Sequence, residues 1–376
     1  MRLGIGLGLF KQGAVSVGVR LFSAYKSRVI ADGGKVEADN CTINLLNNAL
    51  LRSASILTIP SGYKANKLYS QIPTSGLADF TWTRASTATR IQSGGTVESV
   101  ATGVPRLDYS FGSCPAIILE NARTNLVFPS ATATTQTRTV TAVAHTLSFY
   151  GTGTVVLSGA AIAILNGTGG NNRVNLTFTP TAGSLTLTVT GTVTNWQLEA
   201  APFVSSLIET TTASATRVMD ECTKTGISSL IGQSEGVVFV DLYFAQLTNA
   251  AFRSFVCLEG NTANQLSGFT VSTSNNGNDV QYAGGTYSLT TGRHKIACTY
   301  SQANNQRKLF VDGVLRVTGT HTNFSATIDR LALGCRINPF ASFVTDRPLA
   351  TQSGIYDFAI FNSLLTDAQC VALTTL

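Results

Sequence analysis

Lys308-Leu309-Phe310-Val311-Asp312-Gly313-Val314-Leu315-Arg316-Val317 decides the fold class, because two apolar runs meet there at an Asp-Gly pair. Asp-Gly accepts the positive φ angles of a two-residue type I′ turn, so the stretch predicts a β-hairpin. Upstream, His294, Ile296, Cys298 and Tyr300 alternate with Lys295, Ala297 and Thr299, which is the period of a strand. Only the polar stretch 301–306 separates this strand from the hairpin, so the two should be neighbours. Downstream, Ile328, Leu331 and Leu333 mark another strand, and 354–361 a further one. Thr366-Asp367-Ala368-Gln369 then forms a capping box, with Leu365 and Cys370 as its hydrophobic staple, and predicts a short C-terminal helix.

The middle of the chain repeats the strand period in a smaller unit. Leu147, Phe149, Val155, Leu157, Leu185 and Leu187 alternate with polar residues, and Gly151, Gly153 and the stretch 167–172 supply turns. Residues 128–200 therefore predict a small antiparallel sandwich whose outward faces are mostly Thr and Ser. With 376 residues, 12% of them charged, the composition is that of a turn-rich all-β chain of two or three domains. No apolar run reaches the roughly 18 residues that cross a bilayer, and the Gly-broken start is a poor secretory signal. A soluble protein assembled in a cytoplasm is expected. Seven scattered cysteines, without a CxxC pair, read as buried small hydrophobes; a few disulfides are left open for a particle that works outside cells, while the odd number argues against a complete disulfide framework.

The charge is unevenly placed. Arg2, Lys11, Arg20, Lys26, Arg28 and Lys35 stand against Asp32 alone in residues 1–35, so the basicity belongs to an N-terminal arm. Val15, Val17, Val19 and Leu21 alternate there as in a strand, and docking of the arm on an acidic protein surface is favoured over nucleic acid. Ile43, Leu46, Asn47 and Leu50 fall on one helical face and predict a helix over 38–52.

Enzymatic motifs are weak. Gly232-Gln233-Ser234-Glu235-Gly236 fits the GxSxG nucleophile elbow, but a strand-like run follows it where the elbow needs a helix. Glycosidases need two carboxylates facing one another, whereas Asp220 and Glu221 are adjacent and would point to opposite faces. His145, His294 and His321 are isolated, and Gly4-Ile5-Gly6-Leu7-Gly8 has the wrong spacing for a phosphate loop. Among aromatic platforms for a sugar, Trp82 and Trp196 compete with Tyr282 and Tyr287, which flank Gly284-Gly285 and are preferred as glycan contacts. The chain is not expected to be an enzyme.

The stretches HKIACTY (294–300), KLFVDGVL (308–315), LALG (331–334) and GIYDFAIFNSLLTDAQCVAL (354–373) resemble the concanavalin-like, laminin-G-like jelly rolls over residues 234–376. That resemblance implies no cofactor except a calcium ion held by loop oxygens in some members. Asn275, Asn276, Asn278 and Asp279 crowd one such loop, with a solvated turn as the simpler explanation. Three further segments, 79–109, 105–127 and 195–220, resemble a recurrent architecture of tailed-bacteriophage appendages, in which a carbohydrate-binding-module-like sandwich accompanies a laminin-G-like jelly roll. Arg84-Ala-Ser-Thr-Ala-Thr-Arg90 is echoed by Ala213-Ser-Ala-Thr-Arg217, which suggests related edge strands.

The expected fold is all-β. An anchoring arm with one helix occupies residues 1–60, a β-rich lead-in 61–127, the inserted sandwich 128–200 and the jelly roll 201–376. The function this implies is a virion structural component, a capsid or tail fibre with virion proteins as partners, homo-oligomeric and presenting its sandwiches for host attachment. The alternatives are a glycan-binding adhesin and, behind it, a polysaccharide depolymerase.

Overall fold

In the computed structural model, which describes residues 16–244, 254–260, 269–273, 279–321, 324, 326–334 and 353–376, the strands Gln306–Val311 and Val314–Gly319 pair across Asp312 and Gly313. Both turn residues have positive φ, 50° and 76°, as the type I′ turn requires. The Asp312 carboxylate also accepts the Lys295 backbone N–H at 3.0 Å and lies 2.7 Å from His294 Nδ1. These contacts clamp the turn to the neighbouring strand Gly292–Ser301.

That strand continues an eight-stranded sheet through Glu235–Phe244, Gly354–Phe361, Ala116–Ile118 and Leu107–Asp108, with Ile56–Thr58 also paired to Gly354–Phe361. A ten-stranded sheet lies opposite. Its members include Lys35–Val36, Gly62–Lys64, Lys67–Leu68, Phe80–Thr83, Glu221–Thr225, Ile328–Leu333 and Ser254–Gly260. Val238, Val240, Ile296 and Cys298 from the first sheet share one buried core with Trp82, Cys222, Leu258 and Leu331 from the second. The class is all-β, as the alternation in the sequence requires.

The eight-stranded sheet is also covered on its other face. Val237, Phe239, Ala297, Ala359 and Phe361 pack against α1 (Val17–Ala31), α2 (Asp39–Leu46), α3 (Ala49–Arg52) and α4 (Asp367–Thr374). Burial on both faces explains why 237–244 and 355–361 read as continuous apolar runs. The α4 capping box forms as expected, Thr366 Oγ1 accepting from Gln369 N and Gln369 Oε1 from Thr366 N. Among the described residues no helix is long and apolar enough to cross a membrane.

The N-terminal expectations need correction. Residues 17–31 form a helix, not a strand, because Gly18, Phe22, Tyr25 and Val29 recur at helical spacing and face the sheet. Gly18 N donates to Asn47 Oδ1 at 3.2 Å, an approach so close that a Cβ at Gly18 would sit 2.5 Å from that oxygen. The single helix expected over 38–52 is two, since Asn48 Oδ1 caps α3 by accepting from Leu50 N and Leu51 N. Of the basic arm, Arg2 and Lys11 lie outside the described residues. Lys26 pairs with Asp39, and Arg28 reaches Asp79 at 2.7 Å, so two of these charges are spent inside the fold. Arg20 and Lys35 are exposed. Because Lys35–Val36, Gly62–Lys64, Lys67–Leu68 and Phe80–Thr83 belong to the ten-stranded sheet and Ile56–Thr58 to the eight-stranded one, the jelly roll draws on the chain well before residue 201.

The inserted sandwich forms within the expected range. Gln136–Val140, Gly183–Thr190, Thr154–Gly159 and Ala163–Asn166 make one sheet, and Gly169–Phe178, His145–Gly151 and Val193–Glu199 the other. Leu147, Phe149, Leu185, Leu187 and Trp196 fill its own core. One disulfide breaks the expectation that the cysteines act only as buried hydrophobes. Cys41 of α2 is bonded to Cys114, 73 residues away, in the loop before Ala116–Ile118. Cys222, Cys257, Cys298 and Cys370 remain buried thiols, and Cys335 lies outside the described residues.

On the helix-covered face, Asp357 sits directly across from Asp241. Asp241 is held bidentately by Arg293 at 2.8 and 2.6 Å, whereas among the described residues neither Asp357 oxygen has a hydrogen-bond partner. Burial first, and the Asp241 charge second, push the Asp357 carboxyl well above its ordinary value, against the weaker pull of Lys295 and Arg293. A raised folded pKa makes the stabilising contribution complete below the unfolded carboxylate pKa of about 4 and diminishing as pH rises toward the folded value. Asp357→Asn removes the ionisation. Thermal unfolding should show it close to wild type at acid pH and more stable at pH 8; a variant less stable at both pH values would contradict the assignment.

Candidate functional site at the junction of the two sandwiches

Five charged side chains separated widely in sequence meet beneath the inserted sandwich. Arg84 donates to Asp220 Oδ1 at 3.0 Å, Arg106 to Asp220 Oδ2 and to Glu120 Oε2 at 2.8 Å, and Arg217 lies 3.0 Å from Glu120 Oε2. All five are buried. The local chain organises them. Asp220 N donates to Glu120 O at 3.1 Å and Glu120 N to Asp220 Oδ2 at 3.0 Å, which locks the two acids side by side. Burial alone would raise the Glu120 carboxyl, but Arg217 and Arg106 beside it, with two hydrogen bonds from Ser206, hold it well below the usual range. Burial pulls Arg84 and Arg217 below their ordinary values, while Arg106 is held up by Asp220 and Glu120 despite its burial.

The network brings the segments 84–90 and 213–217 close together, although Arg90, which matches Arg217 in the echo, pairs with Glu37 and Glu98 instead. Arg84 and Arg217 both feed the Glu120–Asp220 pair, and Val218 N donates to Ser86 Oγ at 3.0 Å, so the two segments touch. They are not edges of one sheet. Ala88–Ile91 pairs with Val97–Val100, and Ala215–Arg217 with Arg123–Asn125.

Above the network opens a cleft of about 410 Å³. One wall is the hairpin Ala88–Ile91/Val97–Val100, contributing Thr89, Arg90, Ile91 and Val97; a second is jelly roll, with Asp108, Phe111, Ile118 and Tyr243; the third comes from the insert, with Tyr150 and Arg173, and from Leu207 in the stretch that follows it. Phe111 and Tyr243 stack with centroids 4.9 Å apart and planes 24° from parallel, both half-buried. The polar groups around them are fixed. Asp108 accepts from Ile91 N at 2.7 Å and Ser110 N at 2.8 Å, and Arg90 is tied to Glu37 and Glu98. Arg173 donates to Ser205 O at 2.7 Å and Ser148 Oγ at 2.9 Å.

The residues expected to contact glycan lie elsewhere. Tyr282 is 4% exposed, and its hydroxyl donates to Thr299 O at 2.8 Å, so it belongs to the core and offers no platform. Tyr287 is half-buried with Arg316 over its ring at 4.5 Å. Trp82 and Trp196 are both fully buried. Ser234 lies in a turn leading into the strand Glu235–Phe244, with no helix to present it as a nucleophile. Asn275, Asn276 and Asn278 lie outside the described residues, as does the Asp279 side chain; among the described residues no cluster of three or more metal-ligating side chains occurs. Phe111 and Arg173 carried no sequence signal, since neither sits in a motif.

No protein-family model and no curated protein matches the sequence. Among solved structures, the CBM40 module of the Ruminococcus gnavus IT-sialidase bound to α2,3-sialyllactose is similar at 19% identity and a TM-score of 0.32, over 42% of this chain and 94% of that one. The leech intramolecular trans-sialidase is similar at 19% identity and a TM-score of 0.29, over 39% of this chain and 24% of that one. The Trypanosoma rangeli sialidase gives 10% identity and a TM-score of 0.32, over 41% and 26%. This chain thus spans about a quarter of each sialidase, and these likenesses place no ligand contact on it.

Proposed function

We propose that this protein is a non-catalytic glycan-binding protein, whose sugar sits in the cleft between jelly roll and insert. The observation that carries the reading is the Phe111–Tyr243 stack in a cleft rimmed by pre-bonded polar side chains. A sugar ring presents an apolar face and a polar edge, which an aromatic wall and fixed hydrogen-bonding groups satisfy together. The volume falls within the roughly 300–1,000 Å³ usual for small-ligand sites. Hydrolysis is not part of the proposal. A glycosidase needs a carboxyl kept protonated as general acid, and Glu120, the carboxylate at the cleft floor, is held ionised by two arginines.

Glycan-array screening of the purified chain, followed by titration calorimetry on the best ligand, tests this. Phe111→Ala should weaken binding about tenfold, roughly 1.4 kcal/mol, with little change in thermal stability. Unchanged affinity would remove the cleft from the account.

A second reading, the virion appendage, has two observations in its favour. The three segments that carry the phage resemblance, 79–109, 105–127 and 195–220, supply every member of the buried ionic network. A brace that fixes two sandwiches rigidly suits an appendage under load, and the disulfide suits a working site outside a reducing cytoplasm. Mass spectrometry of purified particles from the source tests it, and absence of the chain would count against it. In that setting glycan binding would serve host attachment.

A further inference from the structure

One guanidinium at the junction has no carboxylate in direct contact among the described residues. Arg84, Arg106 and Arg217 are buried with Glu120, Glu199 and Asp220, three of each sign. Arg173, on the insert strand Gly169–Phe178, is a fourth arginine at the same junction. Its bonded partners are neutral, Ser205 O and Ser148 Oγ, and among the described residues no carboxylate comes within 4.0 Å of it. Its Nε is buried without a partner among the described residues. The other charged groups on the cleft walls are already answered, Arg90 by Glu37 and Glu98, Glu120 by two arginines, and Asp108 by backbone N–H groups.

A guanidinium drawn out of water is costly unless an anion meets it, and its planar fork takes the two oxygens of a carboxylate bidentately, as it does those of a phosphate. Burial lowers the Arg173 pKa, against the weaker and more distant pull of Tyr150, Glu199 and Glu120, none of which bonds to it. We propose that the cleft selects saccharides that carry a carboxylate, with Arg173 as the counter-charge and the Phe111–Tyr243 stack as the platform for the ring. This rests on the glycan-binding reading and adds the class of sugar to it.

The test uses the full chain and two matched probes, uronic-acid oligosaccharides (glucuronate and galacturonate series) and the same oligosaccharides after chemical reduction of their carboxyl groups. Calorimetry should show the acidic form binding about tenfold tighter, an advantage that shrinks as salt is raised. Arg173→Gln should bring the two forms within about threefold of each other by weakening only the acidic one. Because Arg173 also holds Ser205 O, thermal unfolding accompanies the variant. Should it fail to fold, the wild-type preference and its salt dependence decide the matter without it. Equal affinity of the wild type for acidic and reduced forms overturns this inference and leaves glycan binding intact. No binding of either form, nor of any neutral glycan on an array, overturns both.

Discussion

Replacing Asp220 by alanine is expected to cost about 3–5 kcal/mol of folding stability, the usual penalty for breaking a buried ion pair from one side. Asp220 accepts from Arg84, from Arg106 and from the Glu120 backbone N–H, so its removal leaves Arg84 buried without an anion and Arg106 with one instead of two. Natural domains have only about 5–15 kcal/mol in hand, so the loss is a large fraction of the whole. The insert has its own core around Leu147, Phe149 and Trp196, and the jelly roll has another, so the weakness should appear first between them. Thermal unfolding should show the lowered midpoint, and limited proteolysis should show new cleavage in the connecting stretch 200–214. Asp220→Asn, which keeps acceptors but loses the charge, should fall between the two. An alanine variant within about 0.5 kcal/mol of wild type would mean that the network is incidental.

The second large effect is expected from the disulfide. Cys41→Ser with Cys114→Ser opens a loop whose ends are 73 residues apart, for which loop-closure entropy gives roughly 4 kcal/mol, with 2–4 kcal/mol usual in practice. The consequence extends to the site. Cys114 lies three residues from Phe111, and its partner Cys41 sits on α2, so the bond ties the loop bearing the aromatic platform to the helix layer. Thermal unfolding with and without reductant should therefore reproduce the difference between wild type and the double variant. Glycan affinity should weaken on reduction in the wild type only. Identical midpoints under both conditions would contradict the assignment.

How much of this was legible in the sequence depends on the range of the interaction that decides each part. The Asp-Gly turn, the Thr366 capping box and the alternation from Leu147 to Val193 are local, set by residues within a few positions of one another, and each forms where it was read. α1 was misread because Val15, Val17, Val19 and Leu21 alternate, while its buried face is set by Phe22, Tyr25 and Val29 against a sheet formed far along the chain. Tertiary packing overrode the local pattern. The ionic network was invisible for the same reason. Arg84, Arg106, Glu120, Arg217 and Asp220 span more than a hundred residues, and one sequence does not say which charges meet. The repeated Ala-Thr-Arg matches Arg217 with Arg90, which pairs with Glu37 and Glu98, so it gave no hint that Arg84 and Arg217 share surroundings. Tyr282 failed as a site residue because flanking glycines imply an exposed turn, whereas its strand turns the ring inward, where Thr299 takes its hydroxyl.

The central claim is that the cleft between the sandwiches holds a sugar. The most direct measurement is a crystal structure of the full chain with the tightest oligosaccharide from the array. The account expects a sugar ring against the Phe111–Tyr243 stack, with its polar edge toward Arg173 and Asp108. An oligosaccharide seated on the jelly-roll face near Tyr287, with the cleft left to water, would contradict it.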